Sequence, residues 1–407
     1  MEAVNLLEAL GAPVPHVTEM LLQASARNEF NYLNAVREVV ERVDGLNDPA
    51  TALTSLCYDI AIRGPETDER LRSPALRAWS SGFTRIEDWS ANNPALSAQL
   101  ALVDNMRFSL LSDGDWEGSF AVLDTICAGW DCRVALGGLQ EKSVRLEKLG
   151  THLVVRAPGN QAITLDLADA ADQRVLRAPY FPDSQIVVRN DLPLFKLRVR
   201  EEAVLTRHAV EYGDFDTRTS SYGPFDASEF RSAADLLRKI WPEEYDDWKK
   251  TLRIVVPRNV PQGWKMDGCT VGTYQGACWI GARGFPGLLE SLVHEQSHVK
   301  LRYIQESWPI LDDSQSDRAF VVGWRRDPRP LVGIYEGVYV HLHVAEAMER
   351  LIDQEALDED MLSRCRERRD EVCAQIREAK DVLKENAKFT PQGEAFLRWA
   401  DEAVTRY

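Results

Sequence analysis

The chain lacks the marks of several large protein classes. None of its seven cysteines (Cys57, Cys127, Cys132, Cys269, Cys278, Cys365, Cys373) forms a C-x-x-C pair. Their odd number and irregular spacing offer neither a disulfide framework nor a zinc ribbon, and reduced, mostly buried thiols are the better expectation. No stretch reaches the roughly 18 consecutive apolar residues that a membrane span needs. Positive charge is not in excess: 64 acidic residues against 48 Lys and Arg give a net charge of −16. Nucleic acid and anionic membranes would repel such a surface, so neither is expected as a partner. Met1-Glu2-Ala3-Val4-Asn5 carries no basic n-region and no long apolar run follows, which predicts a cytoplasmic protein. Internal repeats and low-complexity segments are also missing.

At 407 residues the chain exceeds the usual size of one core, and two or three domains are expected. Residues 1–112 read as helices. Thr18 to Val43 has apolar residues at helical spacing, Asp48-Pro49 opens a second run through Ile62, and Asn93-Pro94 opens a third through Leu111, with Asn as N-cap and Pro at the first helical position. In residues 113–222 the period changes. Short runs at 133–136, 152–156, 162–167 and 185–189, bounded by Gly, Pro, Asn and Asp, look like strands of a small antiparallel sheet or barrel. His16, His152 and His208 lie alone and read as non-ligands. Residues 223–407 are mixed: a helix at 227–240, a strand at 252–257, a glycine-bearing strand or hairpin at 269–280, a helix from Pro286, a loop of about two dozen residues from Gln305 to Pro328, and helices over 331–352, 357–383 and 391–404.

The informative stretch lies in this last region. His294-Glu295-Gln296-Ser297-His298 places two histidines four residues apart on an apolar helix. They project from one face about one turn (5.4 Å) apart, close enough to share a metal ion. His341 and His343 follow within 50 residues. Catalytic zinc and non-haem iron sites use three protein ligands and leave positions open, so a third is required. The metzincin extension would put Gly at 301 and His at 304, where this chain has Leu301 and Ile304. The remaining candidates are Glu336, His341, His343 and Glu346 on the second helix. His341 shares its face with Ile334, Gly337, Val338, Ala345 and Met348, an apolar face with small neighbours; His343 shares its face with Glu336, Tyr339, Val340, Glu346 and Arg350 and reads as more solvated. Facing therefore selects His341. Just before that helix, Trp324-Arg325-Arg326-Asp327-Pro328-Arg329-Pro330 offers guanidinium forks suited to a carboxylate.

The blocks His294 to His298, Trp324 to Leu331 and Gly337 to Glu346, with Gly268-Cys269-Thr270 to Gly276-Ala277 before them, resemble the successive blocks of the HExxH-type peptide β-hydroxylases, which modify ribosomally made peptides. The resemblance covers about residues 225–350. It implies an Fe(II)- and 2-oxoglutarate-dependent oxygenase that uses O2 to hydroxylate a side-chain β-carbon in a precursor peptide. His294, His298 and His341 would be the metal ligands, and Arg325, Arg329 or both would bind the distal carboxylate of 2-oxoglutarate. Glu295 would be a non-ligand catalytic residue that orients water or substrate. The expected fold is α+β: a helical N-terminal region (1–112), a β-rich middle region (113–222), and a mostly helical, zincin-like metal-binding catalytic domain (223–407). The alternative is a zinc metallopeptidase in which Glu295 is the general base and Glu336 or His341 completes the zinc ligands. A third reading is a peptide-binding protein whose site has lost activity.

Overall fold

Proline, asparagine and glycine punctuate the chain, and the elements between them are set by apolar spacing. The computed structural model describes residues 10, 15–66, 68–103, 116–121, 125–127, 134–137, 143–149, 152–156, 162–166, 175–192, 195, 222–259, 268–281, 284–312, 318–354 and 357–407; for several strand residues, Arg325, Arg326 and Asp327 among them, it describes the backbone alone. The architecture is mixed α+β with small sheets and a helical C-terminal part. Helices α1 (Pro15–Val40), α2 (Asn47–Arg63), α3 (Pro74–Ser80) and α4 (Pro94–Leu100) make up the N-terminal part. Asn93 caps α4 by accepting a hydrogen bond from Ala95 N at 2.9 Å, and Pro94 occupies the first turn, where its missing N–H costs nothing. The expected continuation of this run to Leu111 falls largely outside the described residues.

These helices bury Leu33, Val36, Leu53, Leu56, Trp79, Phe83 and Leu96 in one core. The first turns of α1 belong elsewhere: Val17, Leu21 and Leu22 pack into the larger core of the C-terminal part. His16 sits in the first turn of α1, with its side chain exposed.

The middle of the chain forms two small antiparallel sheets. Strands β1 (Trp116–Ala121), β4 (Ser143–Leu149), β5 (His152–Arg156) and β6 (Ile163–Asp166) make one, in the order β1-β4-β5-β6. Strands β2 (Thr125–Cys127), β3 (Val134–Gly137) and β7 (Val175–Arg177) make the other. In β5, Leu153 and Val155 point inward while His152 and Arg156 are exposed, the period-2 pattern of a half-buried strand. The fourth apolar run behaves differently. Its residues Val187–Val188 (β8) pair in parallel with β9 (Ile254–Arg258) and join the sheet of the C-terminal part. His208 lies outside the described residues.

That sheet has the order β10-β11-β9-β8, with β10 (Gly268–Cys269) antiparallel to β11 (Ala277–Gly281) and β11 parallel to β9. Every residue of β9 and β11 is buried, as expected for parallel strands covered on both faces. Gly276, at φ +88°, turns the chain into β11, and its carbonyl accepts from Arg253 N at 2.8 Å; a side chain would strain this backbone.

Helices α5 (Ala227–Ile240) and α6 (Pro242–Thr251) precede the sheet, and α7 (Gly287–Ser307) follows it. The region expected as a long loop is more ordered than its polarity suggests. Helix α7 runs on to Ser307, and β12 (Ala319–Val322) pairs with β13 (Arg325–Pro330) in an antiparallel hairpin with a bulge between Phe320 and Val322. The β-branched Val321-Val322 and the turn at Gly323-Trp324 supply the hairpin signal. Helices α8 (Leu331–Ile352), α9 (Glu359–Asn386) and α10 (Pro391–Val404) complete the chain. Among the described residues no helix is long and apolar enough to cross a membrane. The described free cysteines, Cys57, Cys269, Cys278, Cys365 and Cys373, are all buried.

A buried ion pair ties α7 to α6. Lys300 Nζ lies 3.1 Å from Asp247 Oδ2, with both side chains almost fully enclosed. Thr18 of α1 donates to the other Asp247 oxygen, and Gln296 Nε2 donates to Thr251 Oγ1 at 2.9 Å. Glu244, fully buried nearby, has its carboxyl pushed up to about 7 by desolvation, against the pull of Lys300. Breaking such a pair strands one charge, whereas removing both partners does not. We predict that Lys300→Met lowers unfolding stability by about 3–5 kcal/mol and that Lys300→Met/Asp247→Leu recovers most of that loss. Urea denaturation of the two variants checks it; equal losses in both would contradict the pairing.

Candidate metal centre

Helix α7 presents His294 and His298 on one stripe because residues four apart lie one turn above each other. Their ring centroids are 5.1 Å apart. Helix α8 runs antiparallel beside it, as two contacts show: the His341 ring is 5.3 Å from that of His294, and Gln305 Nε2, near the end of α7, donates to Glu336 Oε1 at 3.1 Å, near the start of α8. This register brings the three expected histidine ligands together. A metal–nitrogen bond of about 2.1 Å puts the ring centroids of two imidazoles on one ion roughly 4.5–5.5 Å apart, which is the spacing seen here. The rings meet at 64° and 87°. As they stand, no three His, Cys, Asp or Glu side chains among the described residues converge as a ready donor set.

His341 is oriented by its own helix. Its Nδ1 lies 2.7 Å from the Gly337 carbonyl oxygen. A carbonyl only accepts, so the proton sits on Nδ1 and the Nε2 lone pair is left for a metal, the arrangement that fixes the tautomer of metal-bound histidines. The other face of the ring stacks on Trp324, with centroids 4.7 Å apart and planes within 15°. Gly337 makes this stacking possible, because a Cβ there would collide with the Trp324 indole. Trp324 is thus a wall of the site that helix periodicity alone could not find, since it reaches α8 from the hairpin turn.

All three imidazoles are held neutral. Burial is the main cause at each, bringing His298 down to about 3 and His341 to about 4 and His294 well below its ordinary value. Nearby positive charge adds to it: Arg302 and Arg329 bear on His298, and Arg368 bears on His294 and His341. Arg368 is itself balanced by Glu290, whose Oε1 is 2.7 Å away, and by Glu371.

The other candidates occupy different places. Glu336 is half-buried and accepts from Gln305, two turns beyond His298. Glu346 accepts from Arg350 Nε at 2.6 Å and from the Tyr407 hydroxyl. His343, expected on a solvated face, is only 4% exposed. It stacks on Trp241 at 6.0 Å and lies against Tyr339 and Trp399, because α8 is covered on both of its long faces. Its Nδ1 pairs with the Tyr339 carbonyl at 3.0 Å, and burial lowers its pKa to about 4.

Glu295 is buried at 5% exposure and points toward the sheet. A Cβ on Gly268 of β10 would come within 2.6 Å of Glu295 Oε1, so the missing side chain there is what admits the carboxylate. Arg329 stands half-buried at the end of β13. The Arg325 side chain lies outside the described residues, and its expected role is not addressed by the geometry. Arg302, one turn past His298, went unremarked in the sequence because it falls outside the motif, although its spacing of four from His298 was a usable signal.

No protein-family model matches the chain, and no curated protein matches it either.

Two predictions follow from the buried imidazoles and their wall. A histidine whose folded pKa lies below its unfolded value near 6.5 binds its proton in the unfolded state first, so stability is lost as pH falls through that interval. His298, His341 and His343 act in this direction down to about pH 4, each with a limiting slope of about 1.4 kcal/mol per pH unit. Glu244, raised to about 7, and Glu29, also raised by burial, oppose them but are fewer than the histidines. The urea midpoint of metal-free protein should fall from pH 6.5 to 4.5, and His341→Asn should flatten that fall. Separately, Gly337→Ala should destabilise the fold by about 1–3 kcal/mol despite its gain in helix propensity, because the rigid indole must move. A changed near-ultraviolet circular dichroism of Trp324 would accompany that loss.

Proposed function

We propose that the protein is an Fe(II)- and 2-oxoglutarate-dependent oxygenase that hydroxylates a side-chain β-carbon of a ribosomally made peptide, with a zincin-like α7 carrying the metal motif. The observation that carries this reading is the clustering of His294, His298 and His341 as neutral imidazoles, with His341 fixed in the tautomer that leaves Nε2 for a metal. Three nitrogen donors suit iron or zinc and leave coordination positions open. The bound iron would supply, with 2-oxoglutarate and O2, the oxidation that places one oxygen atom on the substrate and leaves succinate and CO2.

The chain's own residues would do the rest. His294, His298 and His341 hold the ion without neutralising it, so an anionic cosubstrate is favoured at the open positions. Arg329, close enough to act on His298, can pair with a carboxylate through its guanidinium fork. Trp324 closes the His341 side and keeps water from that edge. Glu295, enclosed beneath Gly268, orients substrate or water from the sheet side. The resemblance of the ordered blocks around these residues to peptide β-hydroxylases supports the choice of an oxygenase over a zinc metallopeptidase.

The test uses protein purified without oxygen and supplied with Fe(II), ascorbate, 2-oxoglutarate and a cognate precursor peptide. Succinate should form in step with a gain of one oxygen atom on the peptide. His341→Ala should abolish iron binding, Glu336→Ala should leave it nearly intact, and Arg329→Ala should raise the apparent KM for 2-oxoglutarate far more than that for peptide. Zinc-dependent cleavage of the peptide, lost in Glu295→Gln and without succinate, would sink the oxygenase reading.

A further inference from the structure

We propose that Gln296 and Lys300 are positioning residues of the metal centre: with Thr251 and Asp247 of α6 they form a buried two-rung ladder that fixes the rotation of α7, and so where His294 and His298 stand relative to His341. This role rests on the metal centre that the oxygenase and peptidase readings share, and not on the choice between them.

Helix α7 carries His294, Gln296, His298 and Lys300 at every second position. Residues two apart lie about 160° from each other around a helix, whereas residues four apart stack. The two histidines therefore make one stripe, and Gln296 and Lys300 make another on nearly the opposite side. That second stripe meets its match on α6, where Asp247 and Thr251 are also four apart. Gln296 Nε2 donates to Thr251 Oγ1 at 2.9 Å, and Lys300 Nζ lies 3.1 Å from Asp247 Oδ2. As the number rises on one helix it falls on the other, so the rungs are successive turns of an antiparallel contact.

Both rungs are closed to water and aimed. Gln296 is fully buried, and Thr251, Asp247 and Lys300 are exposed by no more than 2%. The Thr251 hydroxyl donates to the Asp247 carbonyl oxygen at 2.9 Å, which turns a lone pair to Gln296. Thr18 of α1 donates to Asp247 Oδ1, which leaves Oδ2 to Lys300. Around the ladder α7 packs through Leu289, Leu292, Val293, Val299 and Leu301, and apolar contact of that kind is non-directional. Turning α7 by one residue, about 100°, would carry both histidines away from His341. It would also leave a buried lysine and a buried aspartate unmatched, a penalty that apolar packing alone does not impose. Setting register, rather than adding stability, is the best-attested use of such buried polar pairs.

The experiment titrates metal-free, full-length protein with zinc(II) and, separately, with cobalt(II), whose visible absorption reports the geometry of its ligands. Lys300→Met/Asp247→Leu removes one rung while recovering most of the stability. Gln296→Met/Thr251→Val removes the other without touching a charge, and either double variant suffices if its companion folds poorly. Leu53→Ala, placed in the separate N-terminal core, lowers stability away from the ladder. Urea midpoints are measured on every sample. Each double variant should bind both metals about ten- to a hundredfold more weakly, with an altered cobalt spectrum at near-wild-type stability. Leu53→Ala should keep wild-type affinity and spectrum. Wild-type affinity and spectrum in a folded double variant overturn the role while leaving the metal centre in place. An equal loss of affinity in Leu53→Ala overturns it too, since affinity would then follow stability alone. Wild-type protein that binds neither metal removes the centre and the role together.

Discussion

The close antiparallel packing of α7 against α8 is the constraint on which the C-terminal part depends. Each helix carries polar side chains on two flanks, and the packing takes both sets at least partly out of water. On one flank His341 meets His294. On the other, Lys300 of α7 bears on Tyr339 and His343 of α8 and pairs with Asp247 from α6. Burying polar groups in this way is tolerable only if each is neutral or matched. The imidazoles meet that condition by shedding their protons, and the lysine meets it by pairing. Small residues set the distance of approach: Gly337 lets the hairpin indole reach α8, and Gly268 lets Glu295 reach the sheet.

Much of this was legible from the residues, and what was not has definable causes. Helix α8 begins at Leu331 and ends at Ile352 as its apolar spacing predicts, and the apolar face read for His341 is the one that lies beside His294. The same reasoning failed for His343, because a helical wheel assumes that one face meets water. Here Trp241 and Trp399, from segments about 100 residues before and about 55 after it, cover that face. Trp324 escaped for a related reason, since its contact is made possible by the side chain that Gly337 does not have.

The strands divide in the same manner. β5 and β6 follow their local alternation, whereas Val187–Val188 finds its partner at Ile254–Val255, some 67 positions along the chain. A two-residue parallel pairing carries no short-range signature, because its register is set by the sheet it enters. The hairpin of β12 and β13 hid within a polar stretch whose β-branched residues were outnumbered by charged ones. In each case the missed feature depends on a distant partner, and the features read correctly depend on near neighbours.

The electrostatics give the site its direction. The chain as a whole carries a net charge of −16, yet the groups that act on His298 are Arg302 and Arg329. A divalent ion held by three neutral donors would keep its full charge, and a pair of arginines on the same side would add to it. Such a charge in an acidic protein disfavours cations and favours anions. The placement of the arginines therefore bears on the charge of the ligand the centre favours, a matter that the three neutral histidines leave open.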